Sequence, residues 1–434
     1  MEGRQVSRAR TEKVRAFLGS IALTLAGSTA GLAQDAVTQA PPWHAVNEEA
    51  GKVRDLIGLQ ELASTFPDSG TIRLRLLNAQ WEAGELGALL ETLAWLNARG
   101  YVFSEVSQSQ IPKLVGEDYA ERARALLIPE ARVVETSEVI ATYSADAGLL
   151  ESVMRFPAGA QISIVPRPQL IATSINNRAA AAWFQTGEHI FFDDYGLDNV
   201  SGIVWEPVKR SIWVSSGNID GSAKTEGAFS GLVRLFYSED PRERIAMPAG
   251  ANPSDLTVGQ DGTIFASDPI GGGVYLAAPN DTEMQALVPP GTFRSPQGLA
   301  ASKDGGHLYV SDYRYGIAII DLESREVSRL TTNLEIILDG VDGMWRYNNE
   351  LIVVQNGTSP MRIAALELAE DGMSVTGYRL LEQAHSEWTE PLSGNLDGDT
   401  LLYVGNGQWD RYVAGEPAQD KAPLPTQIRR LLLD

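Results

Sequence analysis

Residues 296–321 read PQGLAASKDGGHLYVSDYRYGIAIID, and this stretch decides the fold. An apolar segment that begins at Pro296 is followed by a turn at 303–306 and by the alternating run 307–312. A second turn around Tyr315 then leads into the apolar run 316–321. Short apolar runs separated by turns rich in Gly and Asp are typical of antiparallel strands joined by hairpins. The stretch therefore predicts three consecutive strands of one small sheet.

The beginning of this stretch recurs along the chain as a repeat phrase: an apolar or proline lead-in, a polar residue, usually a Gly or another small residue, and an aliphatic residue. In the six copies, the last of which is less regular, the second position is occupied by Glu151, Ser201, Ser254, Gln297, Asp342 and Ser393. These positions are 43 to 53 residues apart. A period of this size with short antiparallel strands is typical of propeller blades. The predicted fold class is mainly β, with a six-bladed β-propeller over residues 138–434 preceded by a small α-helical module.

Two more strand-like segments lie at the ends of the propeller region. Residues 138–144 precede the first copy of the phrase, and residues 427–433 lie at the end of the chain. Closing the ring removes exposed sheet edges. We therefore predict that these two segments pair and close the propeller.

The region 43–132 has a different periodicity. Leucines between Leu86 and Leu96 recur at helical spacing, and Ser69 can cap the preceding helix. Residues 69–101, with a Gly-containing turn at 83–87, resemble a single tetratricopeptide repeat. One such repeat cannot bury both of its faces, so it must pack on neighbours or on the propeller. It is interpreted either as a helical cap or spacer, or as a groove that binds a protein partner.

The first 33 residues have the composition of a secretory signal peptide. A basic head that ends at Arg15 precedes an apolar stretch over 16–30, and a small-x-small sequence ends at Ala33. Cleavage near Ala33 would leave no membrane span and would make the protein periplasmic or secreted. The alternative is a retained membrane anchor, for which the apolar stretch is short.

Composition excludes several classes of function. The chain contains no cysteine, which rules out disulfides, thiolate metal sites and a cysteine nucleophile. Its formal charge is −21, and it would be −24 without residues 1–33. Such a charge repels phosphate backbones, so nucleic acid is not an expected partner.

The second positions of the repeat phrase predict a functional site. In a propeller the innermost strands begin around the mouth of a central channel, so equivalent positions of all blades converge there. The ring contains two carboxylates, Glu151 and Asp342, and otherwise only amide and hydroxyl oxygens. Oxygen donors suit a hard divalent cation such as Ca²⁺ or Mg²⁺, and the absence of histidine disfavours zinc. Alternatively, the two carboxylates are structural and pair with backbone amides or arginines. At the following strands, Trp205, Trp213 and Trp345 are expected to pack between blades rather than to form a sugar platform.

The phrases at 253–265, 296–312 and 341–344 resemble those of the senescence marker protein/gluconolactonase/LRE-like family of six-bladed propellers. The resemblance covers about residues 145–434. Enzymes of that family hold one divalent cation in the channel and hydrolyse sugar lactones or related esters. The resemblance implies Glu151 and Asp342 as metal ligands, with Asp342 also as the catalytic proton acceptor. Ser254 and Gln297 stand at the two positions where the family has asparagine ligands, so they complete the expected metal set.

Three functions are compatible with these residues. The first is an exported, divalent-metal-dependent hydrolase of the lactone or ester type, with a small-molecule substrate and Ca²⁺ as the expected cation. The second is a non-catalytic periplasmic propeller that acts as a binding or scaffold module through its helices. The third is a quinone-dependent sugar dehydrogenase, which is disfavoured because its site needs a histidine base and none of the four histidines falls in the ring.

The register of the repeat makes a further prediction about the two carboxylates. If it is right, Glu151 and Asp342 should lie within about 10 Å of each other, close enough to share a cation or a bridging water. At least one of them should have a raised pKa unless a cation or Arg is present.

Overall fold

The computed structural model describes residues 40–46, 48–160, 167–193, 195–222, 227–236 and 243–434. The predicted signal peptide lies outside the described residues. Within them, a group of α-helices is followed by a six-bladed β-propeller, which confirms the predicted fold class. No helix among the described residues is long and apolar enough to cross a membrane.

The helices precede the propeller in the chain. In the described residues they are Glu48–Lys52 (α1), Leu56–Thr65 (α2), Gly70–Glu82 (α3), Leu86–Ala98 (α4), Glu105–Leu114 (α5) and Glu117–Ala125 (α6). Ser69 caps α3 as predicted, because its hydroxyl accepts a hydrogen bond from the backbone N–H of Ile72 at 3.1 Å. Gly84 has φ of 74° in the turn between α3 and α4, a conformation that glycine adopts without strain.

Each blade is a mainly antiparallel sheet, and the strands are numbered in chain order. Glu138–Tyr143 (β1) belongs to the last blade. Blade 1 contains Leu150–Arg155 (β2), Leu170–Ser174 (β3), Ala179–Trp183 (β4) and His189–Phe192 (β5). Blade 2 contains Ile203–Glu206 (β6), Ser211–Ser216 (β7), Gly231–Leu235 (β8) and Arg244–Ala246 (β9). Blade 3 contains Leu256–Val258 (β10), Ile264–Asp268 (β11), Gly273–Ala277 (β12) and Gln285–Val288 (β13).

The remaining blades follow the same plan. Blade 4 contains Pro296–Ala301 (β14), His307–Asp312 (β15), Gly316–Asp321 (β16) and Val327–Arg329 (β17). Blade 5 contains Thr331–Thr332 (β18), Val341–Tyr347 (β19), Glu350–Gln355 (β20), Arg362–Leu368 (β21) and Ser374–Gln383 (β22), and β18 pairs in parallel with the outermost strand, β22. Blade 6 contains Gly394–Asp397 (β23), Thr400–Val404 (β24), Thr426–Leu432 (β27) and β1. A small ribbon of Tyr412–Val413 (β25) and Glu416–Pro417 (β26) lies in the connection between β24 and β27.

The ring is closed by strands from both ends of the propeller region. β1 pairs antiparallel with β27, with Tyr143 opposite Thr426, which confirms the predicted closure. Across this joint the buried Arg429 donates hydrogen bonds to Ser137 at 2.9 Å and to Glu387 at 2.9 Å. The last blade therefore holds the beginning and the end of the propeller together.

The helices pack on the propeller through aromatic side chains. The ring of Trp43 lies 5.0 Å from that of Phe66 and 5.3 Å from that of Phe293, and Phe66 lies 5.1 Å from Tyr315. These residues form one buried cluster with Ile72 and apolar side chains of blades 3 and 4. The helices thus bury apolar surface against the blades, which explains how a single helical repeat is stable here.

Asp339 joins the helices to the channel. It lies in the loop just before β19, is 2% exposed, and accepts hydrogen bonds from the N–H groups of Gly70 at 2.8 Å and Thr71 at 2.9 Å. A carboxylate is favourable at a helix N-terminus, where unpaired N–H groups and the helix dipole carry partial positive charge. The N-terminus of α3 is therefore held beside the innermost strand of blade 5.

Candidate active site at the upper mouth of the channel

The upper mouth is the end of the central channel where the innermost strands begin. In three blades the repeat phrase forms an irregularity in the pairing of the first two strands: between Leu150 and Val153, between Pro296 and Leu299, and at Asp342. Extra residues of this kind bulge out of the ladder and change the direction of their side chains. The bulges contain Glu151, Gln297 and Asp342, the second positions of the phrase. Three members of the expected ring of polar residues therefore lie on locally distorted backbone.

The third position of the phrase forms the waist of the channel. A Cβ atom on Gly202 would lie 2.3 Å from the carbonyl oxygen of Ser254, and one on Gly298 would lie 2.6 Å from the backbone nitrogen of Met344. Neighbouring innermost strands approach so closely here that a small residue is required. Blade 3 is the exception, because Asp255 occupies this position and lines a small void of about 10 Å³ in the channel.

Glu151 is buried and is held by an indole. It is 8% exposed, and its Oε2 accepts a hydrogen bond from Nε1 of Trp409 at 2.8 Å. Burial raises its pKa well above the usual range, and the negative charges of Asp342 and Asp255 raise it further, against the opposing effect of the Trp409 hydrogen bond. Glu151 and Asp342 both lie at the start of an innermost strand, and the charge of Asp342 is one cause of this raised pKa. The predicted separation of the two carboxylates stays a prediction.

Asp342 is held by a chain of neutral hydrogen bonds. Its Oδ2 accepts a hydrogen bond from Nδ2 of Asn356 at 3.1 Å, and Oδ1 of Asn356 accepts one from the hydroxyl of Tyr313 at 2.8 Å. Burial raises the pKa of Asp342 well above its usual range, and the charges of Asp255 and Glu390 add to this effect. Both members of the pair thus have a raised pKa, chiefly because of burial. Among the described residues, the hydrogen-bond partners of the two carboxylates are an indole and a side-chain amide rather than backbone amides or arginines.

Two further carboxylates complete the group. Asp255 is 9% exposed, and burial raises its pKa from 3.8 to about 7. Glu390, just before the sixth phrase, is partly exposed, and burial raises its pKa too. Asp255 acts on the pKa values of Glu151 and Asp342, and so does Glu390. We call these four residues the carboxylate group.

The charge of the carboxylate group is not compensated by basic side chains. In the described ranges, no Lys, Arg or His forms an ion pair with any of the four residues. Buried carboxylates that lie near one another are stable only when they hold protons or share a cation. The group can therefore store protons, bind a cation, or exchange one for the other.

The neutral members of the predicted metal set lie in the same ring but are not hydrogen-bonded to its carboxylates. Ser254 is buried, and its N–H donates to the carbonyl of Ser267 at 2.9 Å. The amide of Gln297 donates to the hydroxyl of Ser295 at 3.2 Å. Among the described residues, no three His, Asp or Glu side chains are grouped so as to hold a metal ion by themselves. The oxygen donors fit a hard cation, but one whose ligands include neutral oxygens as well as carboxylates.

Four residues of this site were missed in the sequence. Asp255 had a readable signal, because it replaces the small residue of the third position within a phrase that was already identified. Glu390, Asn356 and Trp409 had none, because they lie outside the phrase. Asn356 follows β20 beside Asp342 in blade 5, whereas Glu390 and Trp409 lie in loops before and within blade 6.

The three tryptophans expected to pack between blades behave differently from one another. Trp213 is 2% exposed and packs in the core as predicted. Trp205 and Trp345 are partly exposed and line a cavity at the other end of the channel.

Comparison with known proteins gives similarity in structure only. No protein-family model matches the chain, and no curated protein matches it in sequence. Among solved structures, the PQQ-bound aldose sugar dehydrogenase of Streptomyces coelicolor is similar at 15% identity and a TM-score of 0.44, over 70% of this chain and 99% of that one. A gluconolactonase from Xanthomonas campestris is similar at 16% identity and a TM-score of 0.39, over 71% and 99% of the two chains. Virginiamycin B lyase from Staphylococcus aureus is similar at 12% identity and a TM-score of 0.45, over 69% and 100%.

Proposed function

We propose that this protein is an exported hydrolase that opens lactones or related esters at the upper mouth with the help of a divalent cation, for which Ca²⁺ is the best candidate. The observation that carries the proposal is the carboxylate group, two members of which are buried and two partly exposed. None of the four is paired with a basic side chain in the described residues, and the pKa values of Glu151 and Asp342 are raised. The resemblance of the repeat phrases supports the same chemistry and the same two carboxylates, Glu151 and Asp342.

The residues divide into those that hold the cation and those that move a proton. Glu151 and Asp342, with neutral oxygens of Ser254 and Gln297, would hold the ion, and Asp255 would add to the negative potential. A divalent cation supplies Lewis-acid polarisation of an ester carbonyl and stabilises the negative charge that develops on it.

Asp342 is the proton acceptor in this proposal. Its Oδ2 is occupied by Asn356, while Oδ1 accepts no hydrogen bond from the described residues and is left for the attacking water. The hydroxyl of Tyr313 fixes the side-chain amide of Asn356, and the amide in turn fixes the direction of Oδ1 of Asp342. A positioned carboxylate of this kind contributes general-base catalysis of about 10²- to 10⁴-fold.

The test combines binding and turnover. Calorimetry of the purified protein with Ca²⁺, Mn²⁺ and Zn²⁺ should show one saturable site, and hydrolysis of a panel of sugar lactones should be lost on chelation and restored by the metal. Asp342→Asn should abolish turnover with the fold intact, whereas the exposed Asp420→Asn serves as a matched control. Absence of both metal binding and turnover would refute the proposal.

A binding or scaffold role through the helices is the second candidate. It is favoured by large apolar side chains that remain exposed on this part of the chain, including Ile57 at 68%, Val106 at 72% and Trp81 at 44%. A protein partner would cover them. Affinity capture with the purified protein should recover a defined partner whose binding is weakened by Val106→Ser; lactone turnover without a stable partner would count against this role.

A further inference from the structure

The lower mouth is the end of the channel where the innermost strands end. It contains a cavity that is larger than the void at the waist. This cavity has a volume of about 540 Å³, and every blade contributes to its wall: Met154, Trp205, Val258, Ala301, Trp345 and Leu396. Small-molecule sites usually have volumes of about 300 to 1,000 Å³ and mainly apolar walls. The size and lining of this cavity are thus those of a ligand site.

This cavity is separate from Glu151 and Asp342, whereas Asp255 lines the void at the waist between them. The channel between them narrows at the waist, where the void is about 10 Å³, roughly enough for one water. Below the waist, Nδ2 of Asn395 donates hydrogen bonds to the carbonyl of Ile203 at 3.0 Å and to that of Val153 at 3.3 Å. These bonds tie blade 6 to blades 1 and 2 and reduce the opening. An organic molecule at the lower mouth therefore does not reach Glu151 or Asp342 at the upper mouth.

The charge of the lower cavity is opposite to that of the protein. Its only ionisable lining residues in the described chain are Lys303 and Arg346, although the whole chain carries a formal charge of −21. Nε of Arg346 donates to the carbonyl of Asn348 at 2.8 Å, and its Nη2 lies 3.4 Å from Oδ1 of Asn349. Among the described residues, neither cation forms an ion pair. Neutral acceptors therefore orient the guanidinium while its charge stays available.

Lys303 and Arg346 also border an adjoining cavity that contains acidic residues. Asp304, Glu370 and Asp371 line that cavity, which has a volume of about 430 Å³. Asp304 is occupied by the hydroxyl of Ser302 at 2.6 Å and the N–H of Gly306 at 3.1 Å. These carboxylates reduce the positive potential on the outer side of the two cations, but they do not line the lower cavity.

The apolar part of the wall includes two large aromatic side chains. Trp205 and Trp345 are partly exposed and line the cavity, although each also packs against the core of its own region. An indole that faces a cavity provides a flat, rigid surface for the body of a ligand. Arginine recognises a carboxylate through paired N–H groups with defined geometry.

We propose that the lower cavity binds an organic carboxylate with a flat apolar body, the carboxylate at Arg346 and Lys303 and the body against Trp205 and Trp345. This site is independent of the proposed hydrolase activity. It would be an accessory or regulatory site, since the waist prevents exchange of organic molecules with the upper mouth.

The test uses 2-naphthoate and its neutral analogue 2-naphthamide with the purified protein, followed by calorimetry and tryptophan fluorescence. We expect saturable binding of naphthoate, binding of the amide weaker by about tenfold or more, and a similar loss for Arg346→Gln, because a charge-assisted hydrogen bond is removed in each case. Lys303→Gln provides a second variant if Arg346→Gln does not fold, as judged by circular dichroism. Arg124→Gln, at an exposed position on α6, is the matched control and should bind as the unaltered protein does.

Chelation distinguishes the two mouths. Naphthoate binding should be the same with and without EDTA, because the described residues that line the lower cavity include no carboxylate that could hold a cation. The proposal is overturned if naphthoate does not bind, if acid and amide bind equally, if both variants bind as the unaltered protein does, or if EDTA abolishes binding.

Discussion

Replacement of Asp255 by asparagine should stabilise the protein, and the gain should be larger at a pH where the folded-state carboxylate is charged. Asp255 is buried at the waist, and its side chain accepts no hydrogen bond from the described residues. Burial therefore raises its pKa from 3.8 to about 7 in the folded state. The folded protein binds this proton more tightly than the unfolded chain does. This difference in proton binding contributes to the free energy of unfolding. The contribution is fully present below about pH 4 and is lost as the pH rises towards 7.

The magnitude follows from the displacement of the pKa. One unit of pKa shift corresponds to about 1.4 kcal/mol. The raised pKa of Asp255 therefore lowers the free energy of unfolding by about 4 kcal/mol at pH 8 and by about 2 kcal/mol at pH 5, relative to a neutral side chain. Asparagine has nearly the same shape and no charge. Asp255→Asn should therefore raise the free energy of unfolding by up to these amounts, with roughly 2 kcal/mol more gain at pH 8 than at pH 5.

Equilibrium unfolding in urea, followed by tryptophan fluorescence in EDTA at pH 5 and pH 8, measures this difference. Asp420→Asn, which removes an exposed carboxylate, should change stability little at either pH. Saturating Ca²⁺ at pH 8 should reduce the advantage of the variant, because a cation that binds the folded state offsets the buried charge. An equal effect of Asp255→Asn at both pH values in EDTA would refute the reasoning, since the buried charge would then not be the cause.

Three other changes test separate parts of the structure. Tyr313→Phe removes the hydroxyl that orients Asn356, so kcat for lactone hydrolysis should fall about tenfold while KM changes little. Tyr378→Phe is the control, and equal effects of the two substitutions on kcat would show that the orientation of Asp342 is unimportant. Gly298→Ala places a Cβ 2.6 Å from the backbone nitrogen of Met344 and should lower the free energy of unfolding by about 1–3 kcal/mol. Gly306→Ala in the same blade, whose Cβ would have no neighbour nearer than 3.6 Å, should be nearly neutral in urea unfolding, and similar losses for both would contradict a narrow waist. Asp339→Asn leaves one of the N–H groups at the start of α3 without its acceptor and should lower the free energy of unfolding by about 1–3 kcal/mol. Backbone hydrogen exchange in α3 should become faster, and unchanged exchange there would mean that the helix is held by its apolar contacts alone.

The sequence by itself determined the architecture. The period of the repeat phrase, the turns between apolar runs and the strand-like segments at both ends were sufficient to predict six blades and the pairing of β1 with β27. These features are local and repeated, so each copy reinforces the same conclusion. The position of Glu151 and Asp342 at one mouth followed from the same register.

Tertiary structure decided the electrostatics of the site and the existence of the second cavity. Trp409 contacts Glu151, and Tyr313 contacts Asn356, only because the ring brings loops of different blades to the same mouth. The pKa of a carboxylate depends on its desolvation and on charges from other blades. Neither can be deduced from the residues next to it in the sequence. Likewise, Lys303 and Arg346 read as ordinary surface cations in the sequence, and it is the convergence of six strand ends that places them beside two tryptophans in one cavity.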